Sequence, residues 1–469
     1  MRELRLRRLA YPLCLAGLVV SLGPAEAIAQ TAESGPLTLN DAVQLALKNY
    51  PAIKESQARA RAADEGIGVA RTAYLPHVDL LWQTNRATQN NVFGLLLPQS
   101  IVPPISGPVL GTRSYGGVWG SAGGVLLSWD AIDFGQRKAN VDVARAQSSL
   151  AKARIELTRL DVAAAAADAF LTVLAADEAV RAAQANVERM QVFAISVSTL
   201  VSNQLRPGAD QSRATAELAI ARNQHSQAVL AADLARATLA EALGAAGTRV
   251  EPAAGGLARL PQGPADAPVE VTAHPAARAG LAATEVVRAR ERALDRSYFP
   301  HVSFQSAVAG RGSGAEVPGQ PLPSDGLWLQ VPNWAVGASV TFPAFDVFSV
   351  RARKRVELQN EMAERARYEQ TVQSLTMQNA RARALMKAAL EIAQNTPAER
   401  RAATDAESQA RARYQNGLAS ITEVAEAQRL LAQAEADDAV ARLAVWRALL
   451  AEAQARGDLA PFLEKTQRP

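Results

Sequence analysis

Cysteine is almost absent from the sequence, which excludes several kinds of chemistry. The one cysteine, Cys14, lies inside an N-terminal segment that resembles a secretory signal. Beyond that segment the chain can form no disulfide, thiol nucleophile or thiolate zinc site. Pro12 and Leu13 stand where a lipoprotein signal needs a small residue before the cysteine, so we expect no lipid anchor.

Histidine is scarce as well, with four residues in a chain of 469. His77 and His301 each follow a proline in two similar stretches, but no cysteine accompanies them and the other histidines are scattered. Such a set does not form a metal-ligand cluster. We therefore predict no metal site and no cofactor. Since the sequence also lacks a phosphate-binding loop and a nucleophile with a base, we do not expect an enzyme.

Two further absences concern charge and hydropathy. The formal net charge is only +4, so the composition does not predict a nucleic-acid partner. After residue 30, no apolar run approaches the ~18 residues that a membrane-spanning helix needs. Residues 1–29 have the parts of a cleaved signal peptide, with arginines before an apolar run over Leu9–Leu22 and small residues up to Ala29. The mature chain is therefore predicted to be exported.

The exported part contains two copies of one unit. Tyr50-Pro51-Ala52 recurs as His274-Pro275-Ala276, and three later pairs keep a constant spacing of their own. Those later pairs are Asp133 with Asp346, Asp210 with Glu423, and Gly244 with Gly457. The predicted segments are residues 30–250 for the first copy, 251–272 for a linker, 273–457 for the second copy and 458–469 for a short C-terminal tail.

Each unit reads as helix, strand, loop, strand, very long helix, tight turn and helix. The first long helix is predicted over Gln136–Arg206, which has no glycine or proline and would be about 105 Å long. Its apolar residues repeat in heptads, which indicates close helix-helix packing. In the second copy, Pro397 predicts a kink or a break. The longest predicted loop, from Gln99 to Gly117, lies between the two strands of the first copy.

The strand candidates carry most of the tryptophans. Trp82, Trp119, Trp129 and Trp334 lie on them, which suggests aromatic girdles at membrane interfaces. The alternative is that these rings pack in an ordinary β core. Four strands cannot close a barrel and an open edge cannot lie in lipid, so other chains must complete the sheet. Three copies would give twelve strands, which is within the range of membrane barrels.

The motifs around the helix turns resemble those of a known family. Tyr414-Gln415-Asn416-Gly417 is followed by Ala427-Gln428, and the first copy has Arg206-Pro207-Gly208-Ala209-Asp210. This pattern resembles the TolC-type outer-membrane factors. The resemblance implies a mainly helical homotrimer. Its coiled-coil hairpins would form a periplasmic α-barrel, and four strands per chain would build a twelve-stranded β-barrel in outer-membrane lipid.

The same resemblance implies a function and partners. Such proteins are exit ducts that receive small molecules, such as drugs and toxic compounds, from an inner-membrane pump and a periplasmic adaptor. A type I protein-secretion duct is the nearest alternative, because both systems use the same kind of channel. A periplasmic coiled-coil scaffold or adhesin is an alternative of another class, but it leaves the duplication and the tryptophans unexplained.

By resemblance, the channel gate lies where the helix turns converge. Tyr414 and Asp210 fall where the family pairs a tyrosine with an aspartate to hold the closed state. The arginine expected five residues after the tyrosine is replaced by Ala419, which leaves Arg206 and Arg213 as candidate substitutes. For Asp210 the alternative is a plain helix N-cap after the Pro-Gly turn.

Two glutamates complete the expected gate. Glu423 and Glu426 fall where the family places carboxylates around the constriction, and three residues apart they share a helix face. A trimer would stack them in two rings that favour cations. The alternative is a solvated helix face.

The turns themselves are expected to meet the adaptor. An arginine at such a tip is a candidate contact, and an ordinary turn residue is the alternative. The predicted contact residues are Leu205, Arg206, Pro207, Gly208, Asn416, Gly417 and Leu418.

Overall fold

The computed structural model describes residues 37–90, 109–111, 113–261, 270–315 and 326–467. The predicted signal peptide and most of the predicted loop between Gln99 and Gly117 lie outside these residues. The described chain is mainly α-helical with one four-stranded sheet, as the sequence predicted. Within it, no helix combines the length and the apolar character needed to cross a membrane.

The helices and strands follow the duplicated order. The first copy consists of α1 (Leu39–Asn49), α2 (Pro51–Thr72), β1 (His77–Thr88), β2 (Gly117–Ile132), α3 (Gln136–Ser202) and α4 (Gly208–Ala242). The second consists of α5 (Pro275–Arg296), β3 (His301–Ser313), β4 (Val331–Thr341), α6 (Asp346–Gln415) and α7 (Ile421–Arg456). A short helix, α8 (Ala460–Gln467), follows. The internal duplication is thus present in the fold.

Proline and glycine mark equivalent boundaries in the two copies. Pro51 and Pro275 are the first residues of α2 and α5, where the missing N–H costs no hydrogen bond. Gly244 and Gly457 follow the ends of α4 and α7 with φ of +67° and +82°. That left-handed backbone closes a helix and suits glycine.

The sequence predicted a kink or a break at Pro397. The helix does not break there, because α6 is continuous from Asp346 to Gln415. Contacts around the proline stabilise the helix there. Arg401 Nε donates to the Pro397 carbonyl at 3.1 Å. Thr396 Oγ1 donates at 3.4 Å to Asp438 of α7, a buried residue. Packing against α7 therefore outweighs the local preference of proline to end a helix.

Two very long helices organise the chain. α3 and α6 have 67 and 70 residues, or about 100 Å each at 1.5 Å per residue. Near the sheet, α3 packs against α2 and α5, and α5 also packs against α6. Away from the sheet, α3 packs against α4 and α7, and α7 also packs against α6. The side-by-side order is therefore α2, α3, α5, α6 at one end and α4, α3, α7, α6 at the other.

The sheet has the order β1-β2-β3-β4 and is antiparallel throughout. Its register brings one apolar row together across all four strands. The row consists of Leu80, Val125, Val308 and Trp334, which are 81%, 42%, 66% and 78% exposed. One face of the sheet is therefore an exposed apolar surface, whereas the other buries small residues around Leu126.

All four predicted girdle tryptophans lie on this exposed apolar face. Trp129 and Trp119 lie toward the two ends of β2, ten residues apart, or about 33 Å along the strand. Trp129 is also fixed by a hydrogen bond from Nε1 to the Tyr74 carbonyl at 3.0 Å. Trp82 and Trp334 lie in rows between the two ends. Their membrane role stays a prediction.

The largest hydrophobic core lies midway along the helices. It joins α1 and α8 to the middle of α3 and to α4, α6 and α7. Trp446 of α7 packs its ring 6.4 Å from that of Phe462 in α8. Leu257, in the predicted linker, is buried in the same core. The described parts of the predicted linker and tail therefore pack on the helices.

Candidate functional site

The two hairpin turns at the far end of the long helices have the same backbone structure. Asn203 and Asn416 each donate from Nδ2 to a carbonyl one turn back in the helix, at 2.7 and 2.9 Å. The next residues, Gln204 and Gly417, both have positive φ, +58° and +77°. Each turn therefore reverses the chain with one left-handed residue.

The residues that follow are also equivalent. Leu205 and Leu418 come next and are 67% and 70% exposed. Pro207 and Ser420 then precede α4 and α7 as N-caps. Of the predicted adaptor-contact residues, Gly208 is the first residue of α4 and the others lie in these two turns, namely Leu205, Arg206, Pro207, Asn416, Gly417 and Leu418. Their role as a docking surface stays a prediction.

The structure brings the predicted tyrosine and aspartate together. Tyr414 Oη donates to Asp210 Oδ2 at 2.8 Å, between the second hairpin and the first. Asp210 is the third residue of α4, since Pro207 takes the N-cap position. Its carboxylate therefore bonds to the other hairpin and makes no cap, which answers the alternative weighed from the sequence.

Tyr414 is the centre of a buried cluster at the tips. It is 1% exposed and lies 5.8 Å from the ring of Phe193 in α3. The cluster also contains Val197, Ile421 and Val424, so it joins α3 to α6 and α7. Burial and the hydrogen bond to the Asp210 carboxylate raise the pKa of Tyr414 to about 12. The phenol is therefore neutral at ordinary pH and acts as a hydrogen-bond donor.

Of the two arginines that could substitute for the one expected at position 419, Arg206 is the one that contacts Tyr414. Its guanidinium carbon lies 4.3 Å from the centre of the Tyr414 ring, and Nη2 donates to the Tyr414 carbonyl. Arg213 is exposed on α4. Ala419 is buried in the tip cluster and is the repeat equivalent of Arg206, since each directly follows the exposed leucine of its turn. At this repeat position the first turn therefore has an arginine and the second turn has an alanine.

The two predicted gate glutamates are both exposed on α7, but they have different surroundings. Glu423 forms a capping box with Ser420: its carboxylate accepts from the Ser420 N–H at 3.1 Å, and its own N–H donates to Ser420 Oγ. Glu426 lies 3.7 Å from Arg429, one turn further on. Glu423 therefore has a local role as well as the predicted one.

Two ion pairs that the sequence analysis missed link the hairpins further from the tips. Arg429 of α7 pairs with Glu217 of α4 at 2.8 Å. Arg189 of α3 binds Glu435 of α7 with two contacts of 3.1 and 2.7 Å, a fork geometry that strengthens the pair. Charged residues are common on alanine-rich helices, so no local sequence pattern distinguishes the four residues of these two ion pairs. Only the packing of the two hairpins brings them together.

The histidines do not alter this picture. Among the described residues, no three of His, Cys, Asp and Glu come close enough to hold a metal ion. His274 is buried and caps α5, because its Nδ1 accepts from the Ala276 N–H at 3.0 Å. Burial lowers its pKa. It is therefore a neutral structural residue.

Comparisons with known proteins agree with this architecture. The solved outer-membrane channel OprN is 22% identical, with a TM-score of 0.70 and 89% of each chain covered. The outer membrane protein VceC of Vibrio cholerae is 16% identical, with a TM-score of 0.71, and the match covers 90% of this chain and 96% of VceC. The MtrE outer membrane channel of Neisseria gonorrhoeae, solved in its open state, is 19% identical, with a TM-score of 0.67 and coverage of 90% and 89%.

No curated protein sequence matches the chain at a significant level. The sequence pattern of the outer membrane efflux proteins, however, matches residues 42–245 and 276–457. These two stretches are the two structural copies and make up more than half of the chain. The chain therefore belongs to the outer membrane efflux protein family.

Proposed function

We propose that the chain forms a homotrimer that is the outer-membrane exit duct of a tripartite export system. The observation that carries this proposal is that both layers of the described fold end in open lateral edges. β1 and β4 each pair on one side only. α2 and α4 flank α3 at one side, and α6 lies at the other. Three copies joined edge to edge would close twelve strands above a ring of helices.

The lateral helix surfaces are suited to such joining. Both carry apolar side chains that the single chain leaves exposed, and burying them between subunits is favourable. The exposed apolar residues include Leu230 and Leu234 on α4 and Met362, Leu385 and Ile392 on α6.

The exposed apolar face of the sheet would meet lipid. With a strand tilt of about 40°, the separation of Trp129 and Trp119 along β2 corresponds to a height of about 25 Å, which is that of an apolar band in an outer-membrane barrel. The long helices would then extend into the periplasm from the end of the sheet near Trp129.

The helix tips would form the gate. Tyr414, Asp210 and Arg206 hold the two hairpins of one chain together at the tip, and three chains would converge there. Glu423 and Glu426 would then give two rings of carboxylates that favour cations. Opening would require the Tyr414–Asp210 hydrogen bond to break.

The partners would be a periplasmic adaptor and an inner-membrane pump. Leu205 and Leu418 are the most prominent apolar side chains of the two turns and would contact the adaptor's helical hairpin. We propose small molecules as the substrates, in keeping with the efflux family. Loss of dye efflux on deletion of the gene, restored by the wild-type gene, tests this part.

The first experiment is the native mass of the mature protein after detergent extraction from outer membranes. The proposal requires three chains per particle. A monomer released without detergent would overturn it, because four strands with two open edges would then be stable in water. That result would favour the periplasmic scaffold.

A further inference from the structure

A cleft of about 530 Å³ lies where the sheet meets the helices. It is formed by the start of α3 and the end of α5, together with the turns that join these helices to β2 and β3. Phe134 and Phe299 lie in these turns, 51% and 44% exposed, with ring centroids 6.3 Å apart. The cleft thus has an exposed aromatic wall.

The lining of the cleft is also basic. Lys138, Arg292 and Arg296 line the cleft together with two aspartates. The aspartates are paired with cations that do not line it: Asp142 with Arg145 at 2.8 Å and Asp295 with Lys354 at 2.6 Å.

The basic side chains of the cleft are not neutralised by close ion pairs. Within the described residues, Lys138 and Arg296 form no ion pair, and the one contact of Arg292, to Glu285, is a long 3.9 Å. The cleft therefore has an excess of positive charge.

Arg296 lies beside the aromatic pair. Its guanidinium carbon lies 5.6 Å from the centre of the Phe299 ring. A side chain at Gly135 would approach its Cδ to 3.9 Å, so the arginine lies against the start of α3. A cation held between an aromatic pair and a helix start can bind an anion on its free side.

The cleft also continues the apolar face of the sheet. A bulge near the end of β2 pairs Ile132 with Val302, which shares a face with Val308. Phe134 follows Ile132 by two residues. In the assembly proposed above, this is the level at which lipid tails give way to headgroups on the helical side of the membrane.

We propose that this cleft binds the phosphate headgroup of an anionic phospholipid from the leaflet on the helical side. Lys138, Arg292 and Arg296 bind the phosphate, and Phe134 and Phe299 contact the start of the acyl chains. Basic residues beside aromatic ones at a membrane boundary are suited to this combination. The inference rests on the proposed function, since it requires the sheet to lie in the membrane.

The test uses the full-length mature protein in detergent, with native mass spectrometry counting bound lipids. Phosphatidylglycerol and phosphatidylcholine are added in turn. Wild type should hold phosphatidylglycerol more tightly, and the variant K138Q/R292Q/R296Q should lose about tenfold in affinity for it. The matched control K54Q/R154Q/R159Q removes the same charges from exposed helix positions far from the sheet and should keep the preference.

Further arms decide the outcome. R296Q alone should lose part of the preference for phosphatidylglycerol, and R296K should keep it. These single variants test the proposal even if the triple variant does not fold. Displacement of the lipid by inorganic phosphate would reassign the cleft to a free anion. An unchanged preference in both R296Q and the triple variant would overturn the site. If the proposed function itself fails, wild type is not a trimer and holds neither lipid.

Discussion

Tyr414 donates its phenolic hydrogen to Asp210 at 2.8 Å, although the two residues are 204 positions apart and lie on different hairpins. The bond is made beside a buried cluster that leaves Tyr414 only 1% exposed, whereas Asp210 is half-buried. Loss of one partner in such surroundings leaves the other unsatisfied, which costs about 1–3 kcal/mol. In the proposed gate, small changes at this pair are therefore expected to shift the equilibrium between closed and open tips.

The variant Y414F isolates this hydrogen bond. The ring still packs on Phe193, but the Asp210 carboxylate loses its donor. If the bond contributes about 1 kcal/mol to the closed state, the open population should rise about fivefold. Planar-bilayer conductance measures this. Y368F, which removes a hydroxyl far from the tips, should behave as wild type, and an unaltered conductance in Y414F would rule out a gating role for the bond.

A second prediction concerns the arginine that stands in the first turn. R206A removes the stacking on the Tyr414 ring and the bond to its carbonyl, a loss of about 1 kcal/mol. R206K should restore only part of the effect, because lysine has no planar group to stack. R213A is the matched control on the exposed side of α4. Equal conductance of R206A and R213A would show that Arg206 does not hold the tip closed.

The raised pKa of Tyr414 predicts a pH dependence. Because folding raises this pKa from 10.0 to about 12, the neutral phenol stabilises the folded tip. That contribution is complete below about pH 10 and is lost as the pH rises through about 12. An ultraviolet titration of the folded protein should show one tyrosine ionising later than the others. The late step should be missing in Y414F; its persistence there would assign it to another residue.

The apolar face of the sheet gives a fourth prediction. V336K places a charge on that face, which costs about 2–4 kcal/mol near the middle of a bilayer. The amount of assembled protein in outer-membrane fractions should fall sharply. S339K, on the other face of the same strand, should assemble. If S339K reduced the amount of assembled protein and V336K did not, the lipid-facing side would have been assigned wrongly.

The glutamates of α7 give a fifth prediction. E423Q/E426Q should lower the cation-to-anion permeability ratio towards unity, because both carboxylate rings are neutralised. The first of these changes should keep the capping box, since a glutamine side chain also accepts from the Ser420 N–H. The pair E391Q/E399Q, exposed on α6, is the control. Selectivity that is the same in both variants would place the charge filter elsewhere.

The sequence predicted the elements well because its signals are local. The run without glycine or proline that starts at Gln136 predicts α3, and the segments that carry Trp82, Trp119, Trp129 and Trp334 are strands in the structure. The pairing of Tyr414 with Asp210 came from family resemblance, as no spacing rule connects the two positions.

What the sequence could not predict depends on packing between distant segments. The helix continues through Pro397 because α7 supports it, and that support is invisible in the local sequence. The same holds for the ion pairs of Arg429 and Arg189. Ala419 shows the limit most clearly: the sequence left Arg206 and Arg213 as candidate substitutes, and only the structure shows that the Arg206 side chain reaches Tyr414.

The strand order has a consequence for how such a ring can be built. Each copy of the unit adds two antiparallel strands, so a chain always contributes an even number and its two outer strands, β1 and β4, run in opposite directions. Any number of chains could therefore close without a parallel mismatch. The strands leave the number of subunits open, so in the proposed trimer the number three would have to be set by the contacts between helices of neighbouring chains.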